Sequence, residues 1–310
     1  MHGFIKHAVR FPRGLRAAGL TVGLAAALAA CGSASTSASK STSSGMSGMT
    51  SSATASASMG AMSGMAEPMY AGDGLSATSS GFTLVPVSGS ASVPSGKAVA
   101  VRFEITDSAG VAVTAFQDDQ TKLMHFYVVR SDLAGFQHVH PVMASDGTWS
   151  ANLAALEPGT YREYASFITK NGGGAAIALV LSEQFTVAGA ATSAALPAAS
   201  SSTQVDGYSV TLSGGLMAGM EHTLTATVTE NGAPVTDLQP YLDAYAHLTA
   251  FHQGDLAFAH LHPQGTVNGD HGGPTLAFDA QMAKSGSYRL FLQFQTGGVL
   301  HTAAITVHVG

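Results

Sequence analysis

From Phe82 onward, apolar and polar residues alternate in short runs instead of recurring every three or four positions. In Ala98-Val-Ala-Val-Arg-Phe-Glu-Ile-Thr106, for example, the larger apolar residues fall two apart. A period of two predicts strands, whose successive side chains face opposite sides of a sheet. The same reading gives strands at Phe82 to Val87, Ala98 to Thr106, Leu123 to Arg130, Phe136 to Met143, Thr148 to Leu153, Tyr161 to Thr169 and Ala176 to Val187. Turn residues stand between them, at Asp107-Ser-Ala-Gly110, Ser131 to Gly135, Asp146-Gly147, Pro158-Gly159 and Asn171-Gly172. Short strands at this spacing, with no helical period of any length, predict an all-β immunoglobulin-like sandwich.

The plan then repeats. Tyr208 to Leu212, Thr223 to Thr229, Ala246 to Phe251, Ala257 to His262, Thr275 to Gln281, Tyr288 to Gln295 and Ala303 to Val309 correspond in order to the first set. From Val113 to Pro141 the second copy lies at a constant offset of about 122 positions, as from Val113-Thr114 to Val235-Thr236. Tyr161-Arg162 matches Tyr288-Arg289, and Phe167 matches Phe294. Extra residues around Val267 to Gly273 predict a longer loop in the second copy. The expected organisation is two tandem domains, 81–189 and 205–310, joined by an Ala/Ser/Thr-rich linker at 190–204.

The pattern ahead of Phe82 is different. Residues 1–16 carry Lys6, Arg10, Arg13 and Arg16, and an uncharged apolar run from Ala17 to Ala30 follows, short for a permanent membrane helix. This reads as a signal peptide over 1–30. The run closes Leu28-Ala-Ala-Cys31-Gly32, which resembles the lipobox of bacterial lipoproteins, of Gram-positive, actinobacterial type. The resemblance implies lipid attachment at Cys31, and so an extracytoplasmic chain anchored to the cell membrane; the alternative is a secreted protein with a chance cysteine. Residues 31–80 are Ser, Ala, Thr, Gly and Met with almost no charge, which predicts a disordered tether.

Charge and cysteine content narrow the classes. The formal net charge is −6, with 19 acidic against 13 basic residues, and four of those bases sit in the signal peptide. An acidic remainder without Lys/Arg stripes excludes nucleic acid as a partner. A single cysteine excludes a disulfide framework. No nucleophile motif, phosphate loop or zincin sequence is present, so the chain reads as a non-enzyme.

The candidate chemistry is histidine and methionine. Each copy carries His-x12-His-x-His: His125, His138 and His140 in the first, His247, His260 and His262 in the second. Residues two apart on a strand share a face, and the odd separations back to the first histidine let it stand opposite either of the others in an antiparallel pair. Three imidazoles with an open fourth position suit Cu(II) or zinc. A register placing His125 opposite Val139 destroys the set, and histidines kept for packing are the plainer reading. Met46, Met49, Met59, Met62, Met65 and Met69 lie in the tether, where no core calls for them, and thioethers suit Cu(I); compositional drift is the other reading. Met217, Met220 and His222 form a further Cu(I) candidate in the second copy alone.

A lipid-anchored β-sandwich with His-x-His and methionine clusters is similar to extracytoplasmic copper-handling sandwiches of the CopC type. The similarity is one of fold class and ligand chemistry, and an acylated Cys31 removes the free N-terminus such carriers can use. It implies a surface protein that sequesters or delivers a transition metal, copper or zinc, with the membrane and an envelope protein as further partners. The alternative is a metal-free envelope adhesion or interaction module. Copper–zinc superoxide dismutases also place His-x-His on a sandwich strand, but the cysteine pair and a bridging His and Asp set are missing, so this reading ranks last.

Overall fold

The computed structural model describes residues 70, 72–87, 92–269 and 271–310. The expected signal peptide, Cys31 and the methionines Met46, Met49, Met59, Met62, Met65 and Met69 lie outside them. The described residues contain strands and turns and no helix. The first repeat holds β1 (Thr78–Ser79), β2 (Phe82–Pro86), β3 (Ser92–Val93), β4 (Val99–Thr106), β5 (His125–Arg130), β6 (Gln137–Val139), β7 (Val142–Met143), β8 (Trp149–Leu153), β9 (Gly159–Lys170) and β10 (Ala176–Val187). The second holds β11 (Ser202–Val205), β12 (Tyr208–Ser213), β13 (Glu221–Glu230), β14 (Ala233–Pro234), β15 (Ala246–His252), β16 (Phe258–Pro263), β17 (Thr275–Gln281), β18 (Gly286–Thr296) and β19 (Val299–Val309).

In the first repeat two five-stranded sheets, ordered β1-β2-β4-β8-β7 and β3-β10-β9-β5-β6, face each other. Their inner faces contribute Phe103, Phe126, Trp149, Phe167 and Leu179 to one core. The second repeat builds the same sandwich around Leu248, Phe278, Leu290, Leu292 and Phe294. Tyr161 donates its hydroxyl to the Glu157 carbonyl at 3.1 Å, and the matching Tyr288 does the same to the Lys284 carbonyl at 3.0 Å. Such a tyrosine bonding back to the backbone just upstream is a mark of immunoglobulin-like sandwiches.

The repeats differ at one junction. Where the first has β6, a break at His140-Pro141, and β7 on the opposite sheet, the second has one unbroken β16 that pairs with β15 and then with β17. All the strands of the second repeat are therefore linked into one nine-stranded sheet, folded over itself.

The outer faces of the two repeats are not left to water. Tyr127, Val129, Leu133, Tyr164 and Val180 of the first pack with Phe251, Leu256, Phe258 and Phe291 of the second in a third apolar cluster. Phe136 stacks on Phe291 with centroids 4.1 Å apart, and the Tyr164 hydroxyl donates to the Leu256 carbonyl at 2.5 Å. Accordingly β5 and β15 are buried on both faces.

The expected linker, and the described end of the expected tether, are tied down. Leu196 packs on the third cluster, the Ala194 amide donates to Asp132 Oδ2 at 2.9 Å, and β11 begins inside the expected linker. The end of the expected tether is structured as well. The Tyr70 hydroxyl donates to the Asp119 carboxylate, and Thr78–Ser79 forms β1 against β2. Tyr70 and Leu75 supply the apolar surface that the Ser/Ala tract before them lacks.

Candidate metal centre

The first histidine set assembles because of its register. Phe126 faces Val139 and Tyr127 faces His138, so one further step places His125 opposite His140, with all three histidines on one face. Phe126 and Val128 point into the core of the repeat, while Tyr127 and Val129 point toward the second repeat. His125 therefore stands on the face between the repeats. The turn before it fixes the approach: Asp119 and Lys122 exchange backbone hydrogen bonds of 2.8 and 2.9 Å around Gln120 and Thr121, whose φ angles are 45° and 69°. Two central residues with positive φ make a tight turn of the type I′ kind.

The three rings stand 5.2, 5.1 and 4.8 Å apart, centroid to centroid, and one ring nitrogen from each lies within 4.8 Å of the others. Imidazoles bound at about 2.0–2.1 Å to one tetrahedral ion stand about 5 Å apart by the same measure. Tautomers follow from the neighbours. His125 Nε2 lies 3.0 Å from the Asp119 carbonyl, which can only accept, so that nitrogen carries the proton and Nδ1 the lone pair. His138 Nδ1 donates to Gln293 Oε1 at 2.7 Å, leaving its lone pair on Nε2. These two lone pairs face each other at 3.0 Å. His140 Nε2 is buried without a hydrogen-bond partner.

A shared proton or a metal cation resolves this arrangement, and burial opposes the proton. Burial lowers the pKa of His125 and holds that of His138 well below its usual value, with the neighbouring histidines adding to the effect at His138. His140 is pushed down to about 3, again by burial first and then by His125. All three are neutral at pH 7, the form that ligates metal. Tyr127 stacks on His138 at 4.3 Å and closes one side of the site.

In the second repeat, the two described side chains of the set, His247 and His262, meet different neighbours. His247 repeats the first device, its Nε2 2.7 Å from the carbonyl of Tyr241, six residues upstream as Asp119 is of His125. Its ring, however, lies 6.5 Å from His138 of the first repeat. Because β16 crosses to the other sheet, His262 pairs with Asp279 and is carried to Tyr70, whose ring lies parallel to it at 6.3 Å. There it lines a cavity of about 480 Å³ with Asp73, Phe258 and Asp279. His260 lies on β16 opposite Thr249. Among the described residues, His125, His138 and His140 are the one group gathered at ligand distance. Of the Met217, Met220 and His222 candidate, both methionines are 52% exposed on the turn before β13, and His222 shares its strand face with core residues Leu224 and Ala226.

Gln293 and the carbonyls of Asp119 and Tyr241 escaped the sequence reading. A signal for Gln293 existed: the match of Phe167 to Phe294 aligns it with Ser166, a position where the copies differ beside a shared histidine.

No curated protein matches this chain at a significant level. Among solved structures it is similar to the Escherichia coli adhesin FdeC, at 16% identity and a TM-score of 0.24 over 75% of this chain and 65% of that one. The Yersinia pseudotuberculosis adhesin InvE follows at 14% and 0.22, over 76% and 61%. Salmonella alpha-2-macroglobulin matches at 14% and 0.26, over 74% and 15%. The chain thus spans less than two thirds of each. One domain family matches twice, over residues 78–182 and 203–310, together more than half of the chain. The tandem sandwiches are two copies of that domain, and the chain belongs to the family described as domain of unknown function DUF8832.

Proposed function

We propose that this chain is a surface-anchored, extracytoplasmic metal-binding protein that holds one transition-metal ion, copper or zinc, on His125, His138 and His140. The observation that carries the reading is the convergence of buried lone pairs: two imidazole nitrogens 3.0 Å apart with both outer nitrogens already donating, and a third buried nitrogen without a partner. A buried polar atom left unpaired costs about 1–3 kcal/mol, which a bound cation recovers. Neutral imidazoles on a rigid strand pair suit Cu(II) or Zn(II), and an open fourth position suits sequestration or hand-over rather than a closed structural site. In this reading Cys31 carries the lipid anchor and the tether methionines add a softer Cu(I) reservoir.

The test is calorimetric titration of the full chain with Cu(II) and with Zn(II), beside H138A/H140A. One equivalent at submicromolar affinity, lost in the variant, is expected. No binding by the folded parent, or equal binding by the variant, overturns the site. The second reading, a metal-free adhesion or interaction module, then takes its place. FdeC and InvE are themselves named adhesins, though at such TM-scores they add no weight to it.

A further inference from the structure

The first repeat does not complete its histidine set alone. His138 is held by Gln293, 155 residues away on β18 of the second repeat. Gln293 is itself 4% exposed and anchored, its amide nitrogen 3.3 Å from Thr302 Oγ1 on β19. It stands opposite His247 on β15, as Ser166 stands opposite His125 on β5. A serine at that place is too short to span the interface. The pseudo-symmetry of the repeats is thus broken at this position, where Gln293 reaches across to His138.

We infer that the metal site is built jointly by the two repeats, with Gln293 as the positioning residue that fixes the His138 ring and tautomer for ligation. The inference rests on the metal reading above. A ligating histidine ordinarily donates its other ring nitrogen to a carboxylate or carbonyl, and this partner sets both ring orientation and basicity. His125 takes its partner from its own repeat, the Asp119 carbonyl, and His138 takes its partner from the other. Metal affinity and the docking of the repeats are therefore linked: whatever separates the repeats releases His138 to rotate, and an ion that needs His138 oriented favours the docked pair.

The experiment compares the full-length parent with Q293A and Q293E by Cu(II) and Zn(II) titration, with thermal unfolding of the metal-free proteins as a fold control. Loss of a partner of this kind typically weakens binding by about 10–100-fold. Q293A is expected to bind one equivalent, weakened to that extent. Q293E keeps an acceptor oxygen for the His138 Nδ1 proton and is expected to bind at least as tightly as the parent. Parent-like affinity in Q293A sinks the inference while leaving the histidine site intact. Weak binding by both variants, each folded, assigns Gln293 to packing and sinks it equally. Absence of binding by the parent removes the inference and the metal reading together.

Discussion

Glu163 is the residue whose ionisation works most directly against the fold. It sits on β9 opposite Val128 of β5 and Glu183 of β10, is 2% exposed, and shares its strand face with the core residues Tyr161 and Ala165. Burial, and then the charge of Glu183, raise its pKa from 4.5 to about 8. The folded chain thus keeps a proton that the unfolded chain releases near 4.5. Between these values the unfolded state binds fewer protons, so the contribution of Glu163 to stability falls as pH rises to about 8 and is level above. The histidines act with the opposite sign. His140 and His247, lowered to about 3 and about 4, stay neutral when folded, so their contribution is lost as pH falls below about 6.5. Urea unfolding of the parent and E163Q from pH 5 to 8.5 separates the two, since the difference between the chains isolates Glu163. The variant should gain on the parent progressively across that window, by roughly 2–5 kcal/mol at its upper end. A constant difference would mean that Glu163 ionises normally.

At the scale of elements, the turns that precede the histidine strands are the expensive parts. Gln120 and Thr121, and in the second repeat Leu242 and Asp243, all have positive φ, between 45° and 69°, without a glycine among them. Left-handed backbone costs such residues about 1–2 kcal/mol each, and the position of the carbonyl that orients His125 or His247 is what the turn secures. Gln120 Oε1 is in addition buried without a partner. Asn-Gly is the sequence this turn prefers, so Q120N/T121G should raise the unfolding free energy by about 1–2 kcal/mol. Metal affinity should stay unchanged, because the Asp119 carbonyl does not move. Unchanged or lower stability in thermal and urea unfolding would contradict strain in the turn. The longer strands and the repeat are readable from alternation and turn residues, and the odd separation of His125 from His138 and His140 carries the correct facing. Alternation assigns a face to a residue but not a sheet to a strand. Nothing in Phe258 to Pro263 announces that β16 crosses from β15 to β17 and carries His262 to Asp279. The two-residue strands β1, β3, β7 and β14 are too short to show a period at all.

For the whole molecule, the question is whether two sandwiches or one body unfolds. Domains within a chain usually meet through modest polar surfaces and move independently unless the interface is large and apolar. Here the interface is apolar and aromatic, with Phe136 on Phe291, Tyr127 on Phe258 at 5.3 Å and Tyr164 on Phe251 at 5.2 Å, and its edge carries the bond from His138 to Gln293. A continuous apolar run such as Phe126 to Val129 is what a strand covered on both faces requires, and it is the sequence feature that belongs to the pair of repeats rather than to one. The parent is therefore expected to unfold in a single calorimetric transition. Phe291 lies outside the core of the second repeat, in the cluster shared with the first. Its truncation, F291A, should cost about 3–5 kcal/mol, taken from the interface and not from either sandwich. The outcome that distinguishes this is a split into two transitions with both repeats still folded, accompanied by weaker metal binding, since a loosened interface no longer presents Gln293 to His138. F294A, placed in the core of the second repeat, provides the contrast. It should lower the stability of that repeat without first separating the two. If F291A keeps one transition and parent affinity, the repeats are held by something other than this cluster, and the coupling of docking to metal binding loses its physical basis.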